Sequence, residues 1–392
     1  MFEKTLEGGK GYFAWVLFLL TIIGVGFIAY LFQYFYGLKL TGMSRDVSWA
    51  LYISQLTFLV GVAASAVMVV LPYYLHNFKA FGRITIFGEF LAVAAVAMCG
   101  LFVFVDLGNP TRVLNVILHP SPRSILFWDM LVLNVYMILN LIIGWTVLEC
   151  EKKAVPPPLW TKVLIYISIP WAISIHTVTA FLYAGLPGRH LWLTAVMAPR
   201  FLASAFASGP ALLIILSLII RKFTNFDPGR QAIQQLAKIM TYGLIISTFL
   251  FLMEVFTSFY SGIPSHKDNL VYLFAGLHGH NILQPWMWVS VLLGAVCIIL
   301  LVIPPLRHNE AVLLFLAIGV YVSLWIDKGL GLVVGGFIPN PLEHVTEYWP
   351  TWPEIFITLG VYALGFLVLT LLYKVALAVK AESESGRVMS AH

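Results

Sequence analysis

The sequence predicts an all-α integral membrane protein, a polytopic bundle of about ten transmembrane helices with both the N- and C-termini cytoplasmic. Three observations predict it. Of 392 residues, 60% are hydrophobic and only 10% charged, against roughly 25% charged in a water-soluble globule. Apolar runs of about the 20 residues needed to cross about 30 Å of hydrocarbon recur along the whole chain. Lys and Arg collect in the connections, fifteen of the 23 on the face carrying the N-terminus and eight on the other. The positive-inside rule makes the first face cytoplasmic.

The apolar runs lie near residues 13–36, 47–72, 84–106, 125–148, 163–184, 202–220, 235–258, 286–303, 311–327 and 353–375. Pro170 and Pro210 fall inside the fifth and sixth and imply kinks, which a bundle tolerates where neighbours satisfy the freed carbonyls. Lys4, Glu7 and Lys10 precede a long apolar run without a short apolar core or small-residue cleavage site. That segment reads as a retained first helix rather than a removed signal peptide. Residues 1–380 then form one integral membrane domain, and 381–392 a short, disordered cytoplasmic tail. The net charge of +5 is topology-setting charge in loops rather than a nucleic-acid surface. Cys99, Cys150 and Cys297 are widely spaced with no CxxC, so they make neither an iron-sulfur nor a structural zinc site, and a disulfide is not expected.

The longest connections, 107–124, 185–201, 259–285 and 328–352, all lie on the outer face and are rich in Pro, Gly and His. They suit a lid or docking surface. Arg200 and Lys328 count among the outer-face basic residues, and the Gly-rich run Gly329 to Phe337 ahead of Pro339 and Pro341 reads as a re-entrant element.

An ionisable side chain at the centre of the hydrocarbon costs about 3 kcal/mol on insertion scales, so each one within a span is a functional candidate. Four stand out: Glu89, Asp129, His176 and Glu254. His176 lies roughly 12 Å deep at 1.5 Å per residue, and Thr179 and Tyr183 share its helix face. The competing reading is a neutral histidine bonded to a neighbouring helix carbonyl. Glu254, near the outer end of the seventh helix with Ser258 and Tyr260 beyond, is either a proton-accepting carboxyl or a carboxylate salt-bridged to an outer-loop arginine. Asp129 starts the fourth helix, and Tyr136 and Asn140 follow on its face. With Glu89 in the inner half of the third helix they form a proton path toward the cytoplasm, or a chance alignment. The outer cap Asp106-Leu-Gly-Asn-Pro-Thr-Arg112, with His119 beyond, suits a rigid site mouth or an ordinary helix-end loop. A haem-b bundle needs paired intramembrane histidines, and only His176 is deep. No phosphate-binding loop is present. Any redox chemistry must therefore pass its electrons to a partner.

Several stretches carry a family resemblance: Ser48-Trp-Ala-Leu-Tyr-Ile-Ser54 with Gly61-Val-Ala-Ala-Ser65, the Asp106 to Arg112 cap, Leu118-His119-Pro120 through Phe127-Trp128-Asp129, His176, Gly188-Arg189, and Ala198-Pro199-Arg200 through Ser204-Ala205. They resemble the NrfD/PsrC, polysulfide reductase-like, family of quinone-interacting membrane subunits over most of the chain. Ten spans rather than eight are similar to the longer branch with the HybB, QrcD and ActC types. Ile175 to Arg189 and Trp325 to Pro339 most resemble the DsrP type of the DsrMKJOP complex of sulfur-metabolising prokaryotes. The resemblance implies two four-helix bundles plus two peripheral helices in the cytoplasmic (inner) membrane. It implies menaquinone or another quinone near the outer face, with no haem or iron-sulfur cluster of the chain's own. The partners it implies are a DsrO-like ferredoxin-type iron-sulfur subunit, a DsrJ-like multihaem cytochrome c, and DsrM/DsrK-like haem-b membrane and cytoplasmic iron-sulfur subunits.

On this reading His176, with Asp129 or Glu254, contacts the two quinone oxygens. Tyr183, His190, Arg112 and His119, with Asp106 and Arg189, line the mouth, and Tyr136, Asn140 and Glu89 carry protons. A secondary transporter or ion channel is the alternative from another class, although no pair of interrupted helices recurs at matching positions in the two halves. A purely structural anchor for redox partners is a third.

Overall fold

The computed structural model describes residues 2–389, and among these there are helices and no strand. Ten helices are long and apolar enough to cross a membrane: α1 Lys10–Tyr36, α2 Leu51–Leu75, α3 Thr85–Asp106, α4 Ile125–Lys152, α5 Leu159–Ala184, α6 Met197–Phe223, α7 Arg230–Tyr260, α8 Gln284–Val302, α9 Glu310–Phe337 and α10 Trp352–Met389. Helices satisfy most of their backbone internally, the condition for lying in hydrocarbon, apart from the carbonyls freed by Pro72, Pro170 and Pro210 inside α2, α5 and α6. An even number of crossings returns both chain ends to one side. The connections after α1, α3, α5, α7 and α9 share the opposite side, the long-loop side.

Helix neighbours close two rings. In the first, α2 packs on α3, α3 on α4, α4 on α5 and α5 on α2; in the second, α6 packs on α7, α7 on α8, α8 on α9 and α9 on α6. The rings meet where α2 lies against α6 and α9, and α5 against α6. Outside them, α1 packs on α10, which leans on α3 and α4. The expected two four-helix bundles with two peripheral helices are thus present. Without a hydrophobic drive between helices in lipid, close contact depends on small residues. A Cβ on Gly26 of α1 would come within 2.7 Å of the Gly360 Cα of α10, and one on Gly243 of α7 within 2.7 Å of the Phe206 backbone of α6.

Three boundaries differ from the sequence expectation, and two of them matter for the site. The run from Gly329 to Phe337 is not re-entrant. After α-helix to Leu324, α9 continues as a π-helix over Trp325–Val334 and a 3-10 turn over Gly335–Phe337. Its glycines serve packing rather than looping: Gly329 lies against the Ser54 carbonyl, where a Cβ would sit at 3.3 Å, and Gly336 lies beneath the Trp192 indole. Lys328 consequently lies inside a span, and Asp327 is no longer at its end. Likewise α6 begins at Met197, which carries Arg200 out of the loop and into the helix. At the C-terminus α10 is helical through Met389, so most of the segment expected as a disordered tail is helix; residues 390–392 lie outside the described residues.

Candidate functional site

The buried face of α4 carries Asp129, Tyr136 and Asn140 toward the first bundle's interior. Facing them on α5 is the stripe His176, Thr179 and Tyr183, also buried. The Thr179 hydroxyl joins the two helices, 2.5 Å from Asp129 Oδ1. His176, 1% exposed, has no hydrogen-bond partner on either ring nitrogen. The bond to a neighbouring helix carbonyl that would make it a structural histidine is not made. Tyr183 shares a hydrogen bond with the Thr57 hydroxyl of α2, and its ring stands edge-on to Trp192 at 5.0 Å.

In the second bundle lie buried charges, of which Arg200 and Lys328 are expected from the sequence on outer connections. The Arg200 guanidinium donates to Glu254 at 2.5 Å and to Asp327 at 2.7 Å, tying α6 to α7 and to the π stretch of α9. Glu254 is therefore the ion-paired carboxylate of the competing reading, with an arginine in a helix rather than a loop; its second oxygen, Oε1, is buried without a partner. The next residue along α9 points elsewhere. Lys328 Nζ is buried without a hydrogen-bond partner, 4.2 Å above the Phe201 ring, and within Coulombic range of His176. Gly61 makes its room: a Cβ there would stand 3.3 Å from Nζ and 3.0 Å from Ser208 Oγ.

Toward the terminal side, Asn140 Nδ2 donates to the Tyr136 carbonyl at 2.8 Å. One turn further along α4, the missing Cβ of Gly144 leaves space for Glu89, whose Oε2 would lie 3.0 Å from it and has no partner. Asp129, Tyr136, Asn140 and Glu89 thus form one buried file, about 22 Å long at 1.5 Å per residue.

The residues expected at the mouth do not all join this group. Arg189 donates to the Phe337 carbonyl at 3.2 Å and the Asp46 carbonyl at 3.4 Å and lies 4.4 Å over the Phe337 ring, so it fastens the outer connections together. His190 is partly buried beside the His266 ring, 5.4 Å between centroids, and Asp106 ends α3 with Oδ1 buried and unpartnered. Arg112 and His119 are exposed on the connection after α3 and stand outside the buried group. A separate cavity of about 570 Å³ lies between α2, α8, α9 and α10; none of these residues lines it.

Arg200, Asp327 and Lys328 are the site residues that sequence reasoning missed. Their signals were the Ala198-Pro199-Arg200 and Trp325-Ile-Asp-Lys stretches, which carry the family resemblance without a role for their charges.

The family model described as "Polysulphide reductase, NrfD" matches residues 39–335. This chain belongs to the NrfD family. The match runs from just before α2 to the end of the π stretch, so the NrfD core is the pair of four-helix bundles, with α1 and α10 outside it. The chain is 28% identical to a putative dimethyl sulfoxide reductase membrane subunit of Halobacterium salinarum, over 92% of this chain and 89% of that one. It is 22% identical to the Hdr-like menaquinol oxidoreductase integral membrane subunit of Archaeoglobus fulgidus, over 93% of each chain. It is also 22% identical to the menaquinone reductase integral membrane subunit of Nitratidesulfovibrio vulgaris, over 95% of this chain and 93% of that one. As an NrfD protein it is a multi-pass membrane protein.

Proposed function

We propose that this NrfD protein is the quinone-interacting membrane subunit of a respiratory electron-transfer complex in the cytoplasmic membrane. In this reading it exchanges electrons between the menaquinone pool and an iron-sulfur subunit docked on the long-loop side. The observation that carries the reading is His176, an imidazole 1% exposed with neither nitrogen hydrogen-bonded. A buried polar group without a partner costs about 1–3 kcal/mol, and a ligand oxygen removes that cost. Names of relatives support the class: two speak of menaquinol or menaquinone and of an integral membrane subunit.

A bound quinol would supply the redox chemistry, giving up two electrons and two protons. The chain's part is to hold the ring and take the protons. His176 accepts a hydrogen bond at one ring nitrogen and a proton there as the ring is oxidised. Asp129 takes the other proton and is steadied by the Thr179 hydroxyl. Lys328 adds a cation beside His176 and so favours an oxygen that gains negative charge. Glu254, already held by Arg200, keeps its Oε1 without a partner. Protons leave Asp129 along Tyr136 and Asn140 toward Glu89. The partners follow the DsrP-type pattern: a DsrO-like iron-sulfur subunit, a DsrJ-like cytochrome c and DsrM/DsrK-like subunits, in dissimilatory sulfur metabolism.

The test is purification of the native complex followed by quinol oxidation assays. Iron-sulfur and haem absorbance should copurify with the chain, and His176→Ala should slow menaquinol oxidation by about 10²-fold. A chain that purifies alone and binds a solute, or a His176→Ala complex as fast as wild type, overturns the reading.

A further inference from the structure

The cavity of about 570 Å³ on the long-loop side has a composition of its own. No Lys, Arg, His, Asp or Glu lines it, so nothing there would pair with a phosphate or other charged head group. Its walls are aromatic, with Trp286, Trp325, Trp349 and Tyr362 among them. Trp286, Trp349 and Leu359 are exposed at its rim, which opens it sideways to the bilayer. The size is that of a small-ligand pocket, about 300–1,000 Å³, and flat aromatic walls favour a ring over a bare chain.

Two polar groups in its wall point to the ligand. Thr358 is 8% exposed and its hydroxyl has no partner, whereas Thr370 on the same helix bonds back to the Phe366 carbonyl at 2.6 Å. The Gln55 side chain is locked in one orientation. Its Oε1 accepts from Trp325 Nε1 at 2.8 Å and from the Tyr362 hydroxyl at 2.6 Å. The amide nitrogen is left with one long bond, 3.3 Å to the Leu51 carbonyl, and a second hydrogen to spare. A hydroxyl and an amide N–H in the buried wall of an aromatic, uncharged crevice ask for a neutral carbonyl oxygen.

We infer that this crevice is a second lipid-ligand site, taking the ring of an isoprenoid quinone with one ring carbonyl on Thr358 and Gln55 and the chain leaving toward the bilayer past Leu359. It shares no residue with the His176 group and stands whether or not that group handles quinone.

Titration of the purified full-length protein with menaquinone-4, followed by quenching of tryptophan fluorescence, tests it. Thr358→Val should weaken binding about fivefold, the worth of one hydrogen bond of about 1 kcal/mol, while Thr358→Ser should bind as wild type. Leu359→Trp, which fills the crevice, should remove this binding component. Thr358→Val and Leu359→Trp proteins that bind like wild type would overturn the inference. So would displacement of the quinone by an equal concentration of phosphatidylglycerol, which would make the crevice an acyl-chain groove.

Discussion

The hydroxyl of Thr179 stands 2.5 Å from Oδ1 of Asp129 and 2.8 Å from the carbonyl of Ile175, one turn back on its own helix. One hydroxyl proton serves one acceptor at a time. When Asp129 is ionised the proton goes to the carboxylate; when Asp129 is protonated it donates to Thr179, and Thr179 turns to Ile175. Both charge states of Asp129 are thereby hydrogen-bonded inside a dry bundle, as a group that takes and passes protons requires. In the intact complex, Asp129→Asn should lower menaquinol oxidation about 10²-fold. Thr179→Val should lower it about tenfold, the worth of one bond to a charged group. Steady-state rates equal to wild type in both variants would remove Asp129 from the mechanism.

Among the described residues, Arg200 is the one cation that ion-pairs with Asp327 and Glu254, joining α6, α7 and α9 within the second bundle. Truncating one member of a buried charge group strands the others, at about 3–5 kcal/mol. Arg200→Leu should accordingly lower the thermal unfolding temperature of the purified protein sharply. The triple variant Arg200→Leu, Glu254→Leu, Asp327→Leu should recover most of the loss. A triple variant no more stable than the single one would show that this part of the second bundle depends on something other than charge pairing.

Lys328 presents the opposite balance. Its ammonium is buried with no hydrogen-bond acceptor, so an unbranched apolar replacement removes a desolvation cost while keeping the volume. Lys328→Met should unfold no earlier than wild type in a fluorescence melt yet oxidise menaquinol at least about tenfold more slowly, the loss of one charge-assisted contact. Wild-type turnover in this variant would make the lysine a packing residue only.

These charges also show where legibility ends. The ten spans are readable because each is a near-continuous apolar run, and His176 and Asp129 stand out because an ionisable residue in such a run has few structural excuses. Arg200 was hidden by Pro199 before it, which reads as loop chemistry although a proline is tolerated in a first helical turn. Asp327 and Lys328 were hidden by the π stretch, since a widened turn obeys neither the helical period nor the length expected of a span. For Glu254 the type of partner was legible and its identity was not, because which arginine meets which acid is decided by packing between helices of the second bundle. The crevice has no sequence signature: its walls come from four helices and two connections.

Outside the membrane, Asp46 on the connection after α1 accepts a hydrogen bond from Thr346 at 2.9 Å. Asn340 and Thr346 hold its carboxyl below the ordinary value of 3.8. A depressed folded value means that this contact stabilises above the ordinary value and fades as pH falls through the lower, folded one. Hydrogen exchange of the 338–351 segment, corrected for intrinsic rate, should be constant down to about pH 4 and rise below it. At pH 7, Asp46→Ala should already show the faster exchange, together with quicker tryptic cleavage at Arg45. No difference between Asp46→Ala and wild type would show that the other contacts, Arg189 and the Thr351 hydroxyl on the Leu40 carbonyl among them, fasten these connections without it.

The Gly26 and Gly360 crossing joins the first span to the last. A ribosome delivers those two helices more than 300 residues apart, so α1 enters the bilayer long before the surface it fits exists. Through the whole interval α3 and α4 lack the helix that flanks them, and the aromatic crevice lacks one wall. A nascent chain released before α10 would therefore be an open half-built bundle with a long lipid-facing scar, and the fold closes only once α10 has entered the bilayer.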